Sequence, residues 1–188
     1  MGVTQLAAGI LITQITKKVE LAKLNSDATW RRAESLPWCG LVTTGRTGSD
    51  FFQSLLDSHP EVFVFNGWLF FHDFWDFACT LKTDMPDTGD IVDEFIGHHI
   101  HKFKSRYDLK ERKDQLGENA DQFIDIDLLQ FKANILSLLD SHPLNSRNFL
   151  MALYIAYASC IGQNLESKHL FFHHVHHISK LDRFLEDF

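Results

Sequence analysis

The chain has 188 residues, 45% of them hydrophobic, which is enough for one domain with its own core. Its formal net charge of −7 argues against a broad electrostatic attraction to nucleic acid. The cysteines Cys39, Cys79 and Cys160 are odd in number and form no CxxC pair, so we expect free thiols rather than a disulfide framework.

The N-terminal residues 1–36 are predicted to form a leader that precedes the main domain. Its modestly apolar stretch is interrupted by Gln and Thr, and its lysines follow the stretch instead of preceding it. Residues 5–24 are therefore interpreted as a helix or as a poorly packed leader, too short and too polar to span a bilayer. We predict a cytoplasmic protein without a membrane span.

The first strand and helix of the main domain are indicated by a change of periodicity. Residues 38–44 are a short apolar run that predicts a buried strand. From Asp50 the spacing becomes helical, with Phe51, Phe52, Leu55 and Leu56 on one face. The His-Pro pair at 59–60 ends this helix, and residues 61–65 predict a second strand.

The remainder of the chain is mostly helical before a last strand and helix. Helical spacing predicts helices over residues 67–82, 90–104, 121–140 and 145–161. Asn145 or Ser146 can cap the last of these, and Gly162 ends it. Residues 170–177 predict a strand, and Ser179 to Asp182 has the pattern of a capping box. This order predicts an α/β domain over residues 37–188, with a parallel sheet flanked by helices.

The turn between the first strand and its helix has the composition of an oxyanion site. Unpaired N–H groups and the helix dipole favour phosphate at such a turn. Gly45 and Gly48 permit close approach of the backbone, while Thr47 and Ser49 add hydroxyl donors. Arg46 adds a planar, forked cation suited to phosphate or sulfate oxygens.

The segment GRTGS, followed by FFQSLLDSHPEV, resembles the phosphosulfate loop of the sulfotransferases and the helix that follows it. The order of glycine, basic residue, hydroxyl, glycine and hydroxyl is kept, and so is the LLDSHP tail. The resemblance covers residues 38–67 and recurs more weakly over 170–188. It implies a P-loop-like nucleotide-binding α/β fold that uses 3′-phosphoadenosine 5′-phosphosulfate (PAPS) and no metal.

The resemblance also implies a role for each residue of the loop. Arg46 would hold the 5′-phosphosulfate and stabilise charge on the bridging oxygen, while Thr47, Gly48 and Ser49 would supply amides and hydroxyls. Asp50 stands where the family usually has Thr or Ser. It is expected to turn outward at the helix start, where a negative side chain is favourable, or to contact the acceptor or a water.

The family holds the 3′-phosphate of its cofactor with an Arg and a Ser that follow a further strand. In this sequence Phe188 is the last residue, ahead of the place where that strand is expected. The resemblance therefore implies that the 188 residues are the N-terminal portion of a sulfotransferase-like protein, truncated at the C-terminus.

Candidates for the catalytic base and the acceptor site lie outside the loop. His72 and Asp73 follow the second strand and are the nearest candidate bases. One histidine of the run 173–177 is a further candidate for the acceptor pocket. The aromatic run 68–77 suits a carbohydrate acceptor, although helical spacing favours core packing. Since one strand presents only two histidines on a face, no metal site is predicted.

Two other functions remain open from the sequence. Residues 40–47 fit the Walker A pattern of nucleotide-dependent kinases if Arg46 replaces its lysine. An inactive binding fragment of the same fold is the other alternative. The acceptor is expected to be a small molecule or a carbohydrate, and the sequence leaves the oligomeric state open.

Overall fold

The computed structural model describes residues 26–43, 47–57, 59–65, 67, 69–80, 87–104 and 124–188. In chain order the elements are α1 (26–34), β1 (Trp38–Thr43), α2 (Ser49–Leu56), β2 (Val62–Val64), α3 (Phe71–Thr80), α4 (Thr88–Phe103), α5 (Leu128–Leu139), α6 (Ser146–Cys160), β3 (Leu170–His177) and α7 (Leu181–Asp187). Short 3-10 turns cover Leu165–Ser167 and Ile178–Lys180.

The three strands form one parallel sheet in the order β1-β3-β2. β3 is the central strand, since it pairs with β1 on one side and with β2 on the other. Its residues from Phe171 to Val175 are buried, as is typical of a central strand in a parallel sheet. Helices flank the sheet, so the predicted α/β class and the three predicted strands are confirmed.

The two faces of the sheet are covered by different helices. Phe171 contacts Tyr154 of α6, with 5.5 Å between the ring centroids. The next residue, Phe172, contacts Phe52 of α2 at 6.0 Å. α7 lies close against β1, because a Cβ atom added to Gly40 would lie 2.6 Å from the ring of Phe184. The alternation of β3 therefore directs one set of side chains to the core and the other set toward α2.

The core is centred on α6, whose residues from Asn148 to Ala158 are all buried. The predicted ends of this helix are confirmed. Asn145 caps it by accepting a hydrogen bond from the N–H of Asn148 at 2.8 Å. Gly162, at φ 68°, ends it, and the N–H of Gln163 donates to the carbonyl of Ala158 at 2.8 Å. This pair of features is the Schellman arrangement of a helix end.

The apolar residues that share one face of α2 are mostly exposed. Phe51 is 70% exposed and Leu55 is 61% exposed, whereas Gln53 is the buried residue of the helix. The reason is the position of α2 over the carboxyl ends of the strands, where free backbone carbonyls require a polar partner.

Three predicted helix starts also need correction. Gly67 and Phe70 have positive φ angles, so the helix predicted from residue 67 begins at Phe71. The helix predicted from 121 begins at Leu128, because Asp127 accepts hydrogen bonds from the first amides. The predicted capping box at Ser179 is absent. That residue lies in a 3-10 turn, and no side chain caps α7.

Most of the predicted leader, residues 1–25, lies outside the described residues. Residues 26–34 are helical, and this helix packs against the domain. Trp30 and Ala33 are buried members of the core, and the Trp30 ring stacks on His142 at 3.7 Å. The part of the leader that the structure describes therefore contributes to the core.

Candidate functional site

The candidate site lies at the carboxyl edge of the sheet. All three strands run parallel, so Thr43, Val64 and His177 end at the same edge. Five residues separate β1 from α2, and Gln53 of α2 reaches the carbonyl of Phe65 after β2 and the side chain of His174 in β3. In open α/β sheets this edge is where ligands bind.

The loop residues that the structure describes are accessible at the start of α2. Gly45 and Arg46 lie outside the described residues. Thr47 and Gly48 are exposed, and Gly48 adopts the left-handed conformation with φ 77°. Ser49 is the first helical residue, and the N-cap position is Gly48, which has no side chain that could cap the helix. The first-turn amides of α2, which lack intrahelical acceptors, thus receive no cap from this position.

The backbone at Gly48 also leaves room for a ligand. Among the described residues, a Cβ atom added there would meet nothing within 4 Å, so the positive φ is what favours glycine at this position. A first turn whose N-cap residue carries no side chain fits the oxyanion role predicted for Thr47, Gly48 and Ser49.

Asp50 lies in the first turn with its side chain 69% exposed. Its Oδ1 is 3.9 Å from Nδ1 of His174. This position agrees with the interpretation that Asp50 turns outward at the helix start, where the helix dipole stabilises a carboxylate.

Gln53 connects α2 to the ends of β2 and β3. Its Nε2 donates to the carbonyl of Phe65 and to that of Gly67, both at 2.9 Å. Its Oε1 lies 3.0 Å from Nδ1 of His174. The side chain therefore holds three groups from two strand ends in one place.

His174 is a buried ionisable group at this edge. Its side chain is fully buried, and within the described part of the chain its Nε2 has no hydrogen-bond partner. Burial, followed by the charge of His176, lowers its pKa to about 4, while Asp50 raises it and Lys102 lowers it further. At neutral pH the imidazole is therefore uncharged.

Two further residues complete the surroundings of His174. The ring of His176 lies 5.1 Å from that of His174. The end of β3 is irregular. Its pairing with β1 shifts register between Leu41 and Val42, and His176 has a positive φ angle. Lys102 is almost fully buried, and a Cβ atom on Gly67 would lie 2.6 Å from its Nζ.

The predicted catalytic His72 is buried on the other face of the sheet. Its Nε2 lies 3.1 Å from Oδ2 of Asp187, and its ring is 6.2 Å from that of His173. Asp73, the other candidate, lies 3.3 Å from Nδ1 of His177. His72 therefore belongs to a buried pair with Asp187, and its role as a base stays a prediction.

The aromatic run is mainly part of the core, as its helical spacing favoured. Leu69, Phe71 and Phe74 are buried, and Phe77 is 43% exposed. Trp68 lies outside the described residues. This run thus supplies packing surface beneath the sheet.

Gln53 and Lys102 were not identified as site residues from the sequence. Gln53 lies outside the helical face formed by Phe51, Phe52, Leu55 and Leu56, so the apolar spacing of α2 gave no signal for it. The sequence did not distinguish Lys102 as a buried residue, because several other charged residues follow it between positions 104 and 113. Among the described residues, no group of three or more His, Cys, Asp or Glu side chains could hold a metal ion.

None of the helices in the described part of the chain is both long enough and apolar enough to cross a membrane. Comparison with protein-family models, curated proteins and solved structures found no match to this chain.

Proposed function

We propose that this chain is a sulfotransferase-like protein that transfers a sulfonate from PAPS to a hydroxyl or amine acceptor, with a carbohydrate as one candidate. The observation that carries the proposal is the start of α2 at the carboxyl edge of the sheet, within the GRTGS motif, where Gly48 offers no capping side chain. The left-handed Gly48 and the exposed Thr47 leave this turn accessible to an oxyanion.

The residues of the loop fit the charge of a phosphosulfate. Backbone amides of the first turn and the hydroxyls of Thr47 and Ser49 would donate to its oxygens. Arg46 would add a permanent charge that stabilises the bridging oxygen as negative charge develops there. When bound, PAPS supplies an activated sulfonate, which needs no metal for its transfer.

The acceptor loses a proton when its oxygen or nitrogen attacks sulfur, so the site needs a proton acceptor. The His174 imidazole is uncharged at neutral pH, and its Nε2 has no hydrogen-bond partner among the residues that the structure describes. It lies at the same edge of the sheet as the loop. We assign it this role in the proposal, and His72 remains the alternative from the sequence.

The proposal is tested by ligand binding to the purified chain. We expect 3′-phosphoadenosine 5′-phosphate to bind in isothermal titration calorimetry, and ATP with magnesium not to bind. Arg46→Ala should weaken that binding at least about tenfold and lower sulfonate transfer by about 10²- to 10³-fold. Arg31→Ala, which removes an exposed arginine of α1, is the matched control and should change neither.

Two outcomes would contradict the proposal. Binding of ATP with magnesium would favour the nucleotide-dependent kinase, for which residues 40–47 match the Walker pattern if Arg46 replaces lysine. Binding of neither ligand would favour an inactive fragment of the fold.

A further inference from the structure

The orientation of the Gln53 amide is determined by its two neighbouring carbonyls. The oxygens of Phe65 and Gly67 can only accept hydrogen bonds, and both lie 2.9 Å from the same atom of Gln53. That atom must therefore be the amide nitrogen, which uses both of its hydrogens there. The amide oxygen, Oε1, is left facing β3.

This orientation determines which nitrogen of His174 carries the proton. Oε1 of Gln53 can only accept, and it lies 3.0 Å from Nδ1 of His174. Nδ1 must therefore donate. An uncharged imidazole has one N–H group, so Nε2 is an unprotonated nitrogen with a free lone pair.

We propose that Gln53 is a positioning residue that holds His174 in the Nδ1–H tautomer and so keeps Nε2 ready to accept the proton of the substrate that receives the sulfonate. This inference rests on the proposed function for the identity of that substrate. Among the described residues, Nε2 of His174 is buried without a hydrogen-bond partner, which is unfavourable, and a hydroxyl or amine donor of a ligand that reached it would satisfy it.

The same arrangement separates the two ligands of the proposed reaction. A free lone pair accepts from O–H or N–H groups and repels the anionic oxygens of a phosphosulfate. The first turn of α2 has the opposite preference, because its amides donate. Gln53 stands one helical turn after Ser49, so one short helix would arrange both the anion site and the proton acceptor.

Several charged or titratable groups surround His174 and are part of the inference. Asp50 of α2 raises the pKa of His174, whereas His176 of β3 and Lys102 of α4 lower it. His173 precedes it on the strand but points to the opposite face, where its Nδ1 meets Tyr154. Gln53 is uncharged, so replacing it by Glu changes the charge beside Nδ1 while nearly keeping the shape.

Nitrogen NMR of the ¹⁵N-labelled chain reads the tautomer directly, with the His174 signals identified by their loss in His174→Asn. At neutral pH we expect the wild type to show an unprotonated Nε2 and a protonated Nδ1. In Gln53→Glu the carboxylate should stabilise the imidazolium and raise the pKa of His174. Gln130→Glu, the same change on the exposed face of α5, is the control and should leave His174 unchanged.

A second variant removes the amide without adding charge. Gln53→Met should allow both tautomers of His174, and should lower kcat for sulfonate transfer by about 10²-fold while nucleotide affinity is kept. In Gln53→Glu the acid limb of the pH–rate profile should move to higher pH, because His174 then stays protonated to higher pH. A purely structural role would not produce this shift.

The outcomes separate this inference from the proposed function. A wild-type His174 with a protonated Nε2, or a Gln53→Glu variant without a change at His174, would overturn the positioning role even if sulfonate transfer is observed. The expected tautomer and its response to Gln53→Glu support the positioning role even if PAPS does not bind, a result that would overturn only the proposed function.

Discussion

Asp187 is a single side chain that joins three helices. Its Oδ1 accepts a hydrogen bond from Oγ of Ser146 at 2.6 Å, and its Oδ2 lies 3.1 Å from Nε2 of His72. The side chain is only 12% exposed. His72, which the sequence offers as a candidate base, thus has a structural partner that ties α3 to the end of α7.

Replacing Asp187 by Ala should lower the free energy of unfolding by about 2 to 3 kcal/mol. The reason is that the hydroxyl of Ser146 and the ring N–H of His72 would lose their buried partner. Urea denaturation measures the change. Glu186→Ala is the matched control on the same helix. Its pair with Arg183 is exposed, so a loss of no more than about 0.5 kcal/mol is expected. Equal losses of unfolding free energy in the two variants would contradict the structural role of Asp187.

At the scale of elements, α2 differs from the other helices in what it buries. It presents Gln53 to the strand ends and leaves Phe51 and Leu55 toward solvent. Its start depends on the left-handed Gly48, whereas Gly97 lies inside α4, where a glycine only weakens the helix. The two glycines therefore have opposite conformational requirements.

Alanine at these two positions should change stability in opposite directions. Gly48→Ala should cost about 1 to 2 kcal/mol, because an L-residue with a side chain is strained at φ 77°. Gly97→Ala should add up to about 1 kcal/mol, since it lowers the entropy of the unfolded chain and meets nothing within 4 Å. Thermal unfolding followed by circular dichroism compares them. A stabilising Gly48→Ala would contradict the geometry of this turn.

Two buried histidines of β3 make the stability of the whole fold depend on pH. Burial is the main cause that lowers the pKa of His173 to about 3 and that of His174 to about 4, from the ordinary value of 6.5. The unfolded chain therefore binds these protons at higher pH than the folded chain does. Stability is kept above about pH 6.5 and is lost as the pH falls toward these lower values.

The pH dependence of unfolding measures this effect. Between about pH 6 and pH 5 each histidine should lower the free energy of unfolding by about 1.4 kcal/mol per pH unit. His173→Leu should reduce the slope by that amount, because it removes one of the two groups. His98→Gln changes an exposed histidine of α4 and is the control. A slope that His173→Leu leaves unchanged would contradict the burial argument.

The sequence by itself determined the class of fold and most element positions, because these depend on local pattern. Apolar runs predicted the three strands, and the predicted ends lie within two residues of the observed ends. As predicted, Asn145 caps the start of α6 and Gly162 follows its end, since such residues act on neighbouring amides and carbonyls. The glycine at 48 was likewise predictable from the turn that it must form.

Only the tertiary structure decided how the site is assembled, because its contacts join residues far apart in the chain. Gln53 meets His174 across 121 positions, and His72 meets Asp187 across 115. Periodicity placed Phe51, Phe52, Leu55 and Leu56 on one face of α2, but it did not indicate that Gln53 is the buried residue of this helix. Which nitrogen of His174 is free follows from the placement of Gln53, and no local pattern contains it.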